Sequence, residues 1–279
     1  MQSLDMLSLY LTFPFVQYAL LTGVVIALAS SLLGVTLVTR RMSFISDSLS
    51  HMAFLSATVA GVLKLAGSSM LLTLPVTAIC TLLMLHSDRR NGHSDARLAM
   101  ISVSSLAIGY LVINLFSGSG NVAGDVCTTL FGSTSILTLK SQDVTLCCVL
   151  SAIVVLFFIL CENHIFAMTF DETFCRATGV KAGLYNVLLA VVIATMISLS
   201  MELVGALLTS ALIIFPALTA MRVFRSFRGV IICSVICSVL CAVLGILISI
   251  LASTPVGSTI VAAQVIGYLL FSLIGRLRR

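Results

Sequence analysis

Apolar residues run along this chain in long blocks, broken by short clusters of charge, glycine and proline. A helix that crosses a bilayer needs about 20 mostly apolar residues at 1.5 Å rise each. Cutting the apolar stretches at Gly, Pro and charged clusters gives nine such segments: 16–39, 43–66, 70–86, 98–116, 143–161, 184–201, 203–221, 229–252 and 257–275. The last two share one charge-free run from Gly229 to Gly275, long enough for two passes, with Thr254-Pro255-Val256-Gly257 as the turn between them. The third is short, so eight passes is the alternative count. No long linker, low-complexity tract or soluble domain separates the segments; the longest stretches between them are 117–142 and 162–183. The pattern therefore predicts an all-α polytopic transmembrane helix bundle forming one domain, residues 1–279.

Composition agrees with the pattern. Of 279 residues, 59% are hydrophobic and 9% charged, against about 25% charged in a soluble domain. So few charges exclude a disordered chain, a nucleic-acid binder and a soluble enzyme. The net charge of +5 is explained by position. Arg40, Arg41, Arg89, Arg90, Arg97, Arg176, Lys181, Arg222, Arg225, Arg228, Arg276, Arg278 and Arg279 all fall in alternate loops on one side, leaving only Lys64 and Lys140 for the other. Basic residues near span ends stay cytoplasmic. Nine passes with the N-terminus outside and the C-terminus in the cytoplasm follow as the expectation, in a cell membrane. The first 15 residues carry Asp5 and no Lys or Arg, which is not the start of a secretory signal, so the first span is expected to be retained. Cys80, Cys147, Cys148, Cys161, Cys233, Cys237 and Cys241 lie in or at the ends of spans, and no disulfide framework is expected. The Cys233, Cys237 and Cys241 stripe, interleaved with Ser234 and Ser238, reads as small residues permitting close packing, or as a thiolate track.

Charges inside a membrane are costly and mark a pathway or a partner. The clearest are in Arg41-Met42-Ser43-Phe44-Ile45-Ser46-Asp47-Ser48-Leu49-Ser50-His51. On a helix starting near Met42, Asp47 and His51 stand about 9 and 15 Å beyond the arginines, and their spacing of four puts them on one face. A carboxylate with an imidazole suits Mn²⁺, Fe²⁺ or Zn²⁺, and two ligands are too few for a closed structural site. The same spacing also fits an Asp–His pair that only satisfies itself inside a bundle. Glu202 lies between two spans on the outer side, as a third ligand, an entrance gate or a solvated acid; Asp125 in the outer loop has the same readings. Pro216, with Gly205 upstream, kinks its span, in a gate or in a static bundle.

The stretch 165–183 carries Asp171 as an N-cap, Glu172 in the first turn and Gly179 as a stop. It predicts a short cytoplasmic helix at about 170–180 presenting Phe174, Ala177 and Val180 beside Arg176, as a lid on lipid or a docking element for a cytoplasmic partner. There is no Gly-x-x-x-x-Gly-Lys-Ser/Thr loop, so ATP would have to be hydrolysed by a separate subunit, and neither His-Glu-x-x-His nor Gly-x-Ser-x-Gly occurs.

Three segments carry a resemblance. Arg41 through His51, Phe170-Asp171-Glu172 through Ala177-Thr178-Gly179-Val180, and Val204-Gly205-Ala206-Leu207-Leu208 through Pro216-Ala217-Leu218-Thr219-Ala220 resemble the membrane-spanning permease subunits of bacterial ABC importers for zinc, manganese and related divalent metals. Leu130-Phe131-Gly132 and Pro255-Val256-Gly257 through Val261 add weaker matches. The resemblance implies a permease with a transported Zn, Mn or Fe ion and no permanently bound cofactor, working as a homodimer or with a second permease subunit. It implies cytoplasmic ATPase subunits docked near Asp171–Gly179, an extracytoplasmic metal-binding protein, and Asp47 and His51 on the ion pathway. Where that family often carries an acid before the last turn, this chain has Ala252-Ser253-Thr254-Pro255. The residues alone leave open a self-sufficient secondary carrier or channel using Asp47, His51 and Glu202.

Overall fold

Helices occupy every one of the nine apolar segments. The computed structural model describes residues 12–63, 69–87, 94–116, 132, 141–179 and 182–277. In chain order these form α1 (Pro14–Thr39), α2 (Ser43–Val62), α3 (Ser69–Ser87), α4 (Ser94–Phe116), α5 (Ser141–Phe170), the short α6 (Glu172–Ala177), α7 (Ala182–Val204), α8 (Ala206–Met221), α9 (Phe227–Ala252) and α10 (Val256–Leu277). Among the described residues there is no strand. Six helices, α1, α4, α5, α7, α9 and α10, are long and apolar enough to cross a membrane by length and composition. Of the rest, serines, Asp47 and His51 dilute α2, and α8 has 16 residues with Pro216 inside it, while α3 runs unbroken from Ser69 to Ser87 through Pro75.

Contacts between helices fix their relative directions. Ser238 Oγ on α9 donates to the Ala27 carbonyl of α1 at 2.9 Å, and Gly23 faces Ile246, so α1 and α9 run antiparallel. Gly34 lies so close to α8 that a Cβ there would stand 1.9 Å from the Ile213 carbonyl oxygen. Val35 and Val38, one turn on, meet Ala217 and Ala220, so α1 and α8 run parallel. Gly245 rests on Ile260 and Cys241 on Ala263, pairing α9 with α10 in opposite senses. At one end of the bundle Arg228 on α9 pairs with Glu162 on α5 at 2.9 Å, Phe227 packs on Phe166 and Phe170, and Arg40 reaches Thr169 and Asn186. The C-termini of α1, α5, α8 and α10 and the N-termini of α2, α7 and α9 thus share that end, together with α6.

The core is centred on α1 and α7, whose Ile26, Leu33, Leu37, Ile193, Met196 and Ile197 are fully buried. Outer faces of α4, α5, α9 and α10 expose Leu, Ile, Val and Phe, the arrangement that hydrocarbon rather than water favours. Two expectations needed correction. The fifth segment does not stop at 161: α5 continues to Phe170, so its 30 residues span about 45 Å, well beyond a roughly 30 Å hydrocarbon layer. Helix α6 is six residues long, shorter than the 170–180 helix the caps predict. All eight described cysteines are free; of the stripe, Cys233, Ser234 and Ser238 are buried while Cys237 and Cys241 are half-buried.

Candidate functional site

The turn that launches α2 is tightly defined. Met42 N–H donates to the Leu37 carbonyl at 2.9 Å and Arg41 N–H to Val38 at 3.0 Å, the paired bonds that close a helix end when one residue adopts the left-handed conformation. Arg41 is that residue, at φ 58°. Helix α2 then starts at Ser43, which carries Asp47 one turn and His51 two turns into the bundle, about 12 Å from the helix start for His51.

Parallel to α2 runs α4, and their seam is built from small residues. Ser48 Oγ donates to the Leu98 carbonyl at 2.8 Å, Ser102 Oγ to Asp47 Oδ2 at 2.7 Å, and Ser105 Oγ to Met52 Sδ at 2.7 Å, while Gly109 receives the Phe54 ring. Contact residues 98, 102, 105 and 109 recur at helical spacing, so one stripe of α4 meets one face of α2. Ser102 is the site residue the sequence reading misses. A serine in an apolar span is common, and only the register between two helices reveals that this one faces a carboxylate.

His51 Nε2 stands 3.5 Å from Asp47 Oδ1, with side chains 7% and 35% exposed respectively. That distance is longer than a hydrogen bond of 2.7–3.2 Å. It matches two ligands of one ion: atoms about 2.1 Å from a tetrahedral Zn²⁺ stand about 3.4 Å from each other. His51 Nδ1 is buried without a hydrogen-bond partner among the described residues. The pair is thus held on one side by Ser102 and is not locked to itself.

The other expected residues are distributed. Glu202 is exposed in the last turn of α7, and no three His, Cys, Asp or Glu gather as a metal cluster among the described residues, so Glu202 does not complete the Asp47–His51 pair here. Asp125 lies outside the described residues. Gly205, at φ 96° and ψ 157°, is the single non-helical residue between α7 and α8 and caps α8; this is a region of backbone space open essentially to glycine alone. The break is sealed by Gly132, where a Cβ would stand 1.9 Å from the Val204 carbonyl oxygen. Pro216 is buried inside α8. Asp171 does cap α6: its Oδ1 accepts from Thr173 Oγ1 at 2.6 Å and from Phe174 N–H at 2.9 Å. Those two donors hold its carboxyl below the ordinary aspartate value. Glu172 opens the helix, Phe174 and Ala177 are exposed, Cys175 is buried against Met168 and Ala182, and Gly179 ends the segment at φ 84°.

A carboxylate–imidazole pair, the imidazole buried and the carboxylate half-exposed, thus sits in an apolar bundle. Residues 12–275 match the ABC 3 transport family. The chain belongs to that family. Relatives in it include the high-affinity zinc uptake system membrane protein ZnuB of Haemophilus influenzae, 29% identical over 208 residues, covering 75% of this chain and 77% of the relative. The manganese import system permease protein ScaB of Streptococcus parasanguinis is 26% identical over 260 residues, covering 92% and 90%. The solved structure of PsaBC from Streptococcus pneumoniae in complex with Fab aligns at a TM-score of 0.81 with 23% identity, over 100% of this chain and 99% of that one, and so has the same fold. As an ABC 3 transport family member the chain is a multi-pass membrane transport component and not an enzyme.

Proposed function

We propose that this chain is the permease subunit of an ATP-driven importer of a divalent transition-metal ion, zinc, manganese or iron, and that Asp47 and His51 bind the ion in transit. The observation that carries the reading is the 3.5 Å approach of His51 Nε2 to Asp47 Oδ1, the separation of two ligands on one small cation. Relatives named for zinc and manganese uptake support the class of cargo. Two protein ligands leave the coordination incomplete, which suits an ion that must arrive and leave. Glu202 and Asp125 are assigned to the outer approach.

The reading has nine passes in one membrane domain, with the N-terminus outside and the C-terminus cytoplasmic. Alternating helix directions support it, as does the gathering of Arg40, Arg41, Arg222, Arg225, Arg228 and Arg276 at one end. At that end α6 is the docking element, with Asp171, Glu172, Phe174, Ala177 and Gly179 meeting an ATPase subunit. A second permease copy and an extracytoplasmic metal-binding protein complete the assembly. ATP-driven closure of the ATPase pair would press on α6 and, through the extended α5, tilt the bundle so that the pathway opens to alternate sides; Gly205 and Pro216 are where the bundle yields.

Metal uptake into vesicles tests this. Vesicles holding this chain with the ATPase subunits and metal-binding protein are expected to take up ⁶⁵Zn or ⁵⁴Mn only with ATP, and Asp47→Ala or His51→Ala to abolish uptake while assembly persists. Normal uptake by both variants would overturn the site, and flux through this chain alone without ATP would overturn the importer reading in favour of a secondary carrier.

A further inference from the structure

Beyond the ion pathway, the bundle end that gathers the arginines holds a second polar site. A cavity of about 440 Å³ opens between the C-terminal ends of α8 and α10, lined by Arg222, Tyr268, Ser272, Gly275 and Arg276. Its walls are set by close backbone contact: a Cβ on Gly275 would stand 2.6 Å from the Arg222 carbonyl oxygen. Arg222 is oriented twice, since its Nη2 donates to the Tyr268 hydroxyl and its guanidinium carbon lies 5.2 Å from the Tyr268 ring centroid. Such a contact fixes a guanidinium over an aromatic face. Among the described residues no carboxylate pairs with Arg222 or Arg276.

Helix C-termini attract cations, so the arginines need not imply a ligand. The magnitudes decide otherwise: two helix ends contribute about −0.5 charge each against two guanidiniums, leaving about one positive charge unbalanced in a cavity that also offers the Ser272 and Tyr268 hydroxyls. An anion with several acceptor oxygens would satisfy that set. Immediately beside it α10 turns an apolar face outward, with Leu269, Leu270, Leu273 and Ile274 44–60% exposed and Leu277 80% exposed. A polar cavity continuous with an apolar stripe at a bundle end is shaped for an amphiphile.

We propose that this cavity binds the phosphate of an anionic phospholipid headgroup, with its acyl chains along the outer face of α10. Arg222 and Arg276 supply charge and bidentate N–H donors, and Tyr268 holds Arg222 in place. On the topology above, the lipid belongs to the cytoplasmic leaflet, where polybasic sites meet anionic lipid.

The test is lipid retention by the full chain in neutral detergent, measured by native mass spectrometry and by thermal unfolding. Added phosphatidylglycerol is expected to be retained and to raise the unfolding temperature more than phosphatidylcholine. Retention should fall about thirtyfold in Arg222→Gln/Arg276→Gln and stay unchanged in Arg225→Gln, a nearby arginine outside the cavity. Tyr268→Phe, which keeps the ring and loses the hydroxyl, should fall in between. Equal retention of the two lipids, or unchanged retention in the double variant, would overturn the proposal. Equal protection by inorganic phosphate alone would overturn the lipid assignment in favour of a soluble anion.

Discussion

Ser102 on α4 donates its hydroxyl to Asp47 Oδ2 on α2 at 2.7 Å, leaving Oδ1 as the oxygen that faces His51. One carboxylate is thereby divided into a held oxygen and an offered one. Ser102→Ala would free Oδ2 to rotate and raise the entropy of the ligand pair. Hydrogen bonds to charged groups are worth about 1.5–3 kcal/mol, so the half-saturating metal concentration for uptake is expected to rise by roughly tenfold or more at nearly unchanged maximal rate, with Ser102→Thr close to wild type. An unchanged half-saturating concentration, beside a dead Asp47→Ala, would dismiss Ser102 and leave the site intact.

Backbone geometry predicts that Gly205 cannot be replaced. At φ 96° and ψ 157°, alanine carries a strain of about 1–3 kcal/mol. Gly205→Ala should lower the unfolding temperature in detergent and slow uptake.

Two glycines on neighbouring helices offer a matched contrast. Gly34 abuts the Ile213 carbonyl, whereas nothing lies within 4 Å of a Cβ at Gly61. Gly34→Ala should cost about 3 kcal/mol or more, at the upper end of overpacking. Gly61→Ala should be neutral or stabilising by up to about 1 kcal/mol through helix propensity. Thermal unfolding of both variants side by side measures the difference.

The cap of α6 predicts a pH response. Asp171 accepts from Thr173 and Phe174, which lowers its carboxyl pKa in the folded state. A lowered folded value means the cap is intact above the unfolded value and lost as pH falls through the folded one. Coupling of ATP hydrolysis to uptake should therefore be flat between about pH 5 and 8 with respect to this group. Asp171→Asn, which keeps an acceptor at the N-cap, should retain coupling, and Asp171→Ala should lose part of it while ATP hydrolysis continues. Equal coupling in the alanine variant would remove the cap from the mechanism.

Much of the bundle was legible because hydrocarbon leaves a coarse signature: each predicted apolar block holds a helix among the described residues, six of them long and apolar enough to cross a membrane. What was missed depends on contacts between distant residues. The predicted fifth segment stops at 161, before Glu162 and His164, yet Glu162 pairs with Arg228 and His164 stacks on the Tyr185 ring, and α5 continues. Asp47 and His51 announced themselves as charges in an apolar span; Ser102 did not, because its importance lies in the register of α4 against α2. For Glu202 the sequence leaves a third ligand, an entrance gate and a solvated acid open; the fold puts it on an exposed turn at the end of α7.

Gly132 has a mechanical consequence. Its backbone sits where no side chain fits, against the Val204 carbonyl at the vertex between α7 and α8. A gap that narrow leaves no lubricating layer, neither water nor methyl group, between Gly132 and the vertex. If α7 and α8 hinge during transport, Gly132 must ride with them or break contact outright.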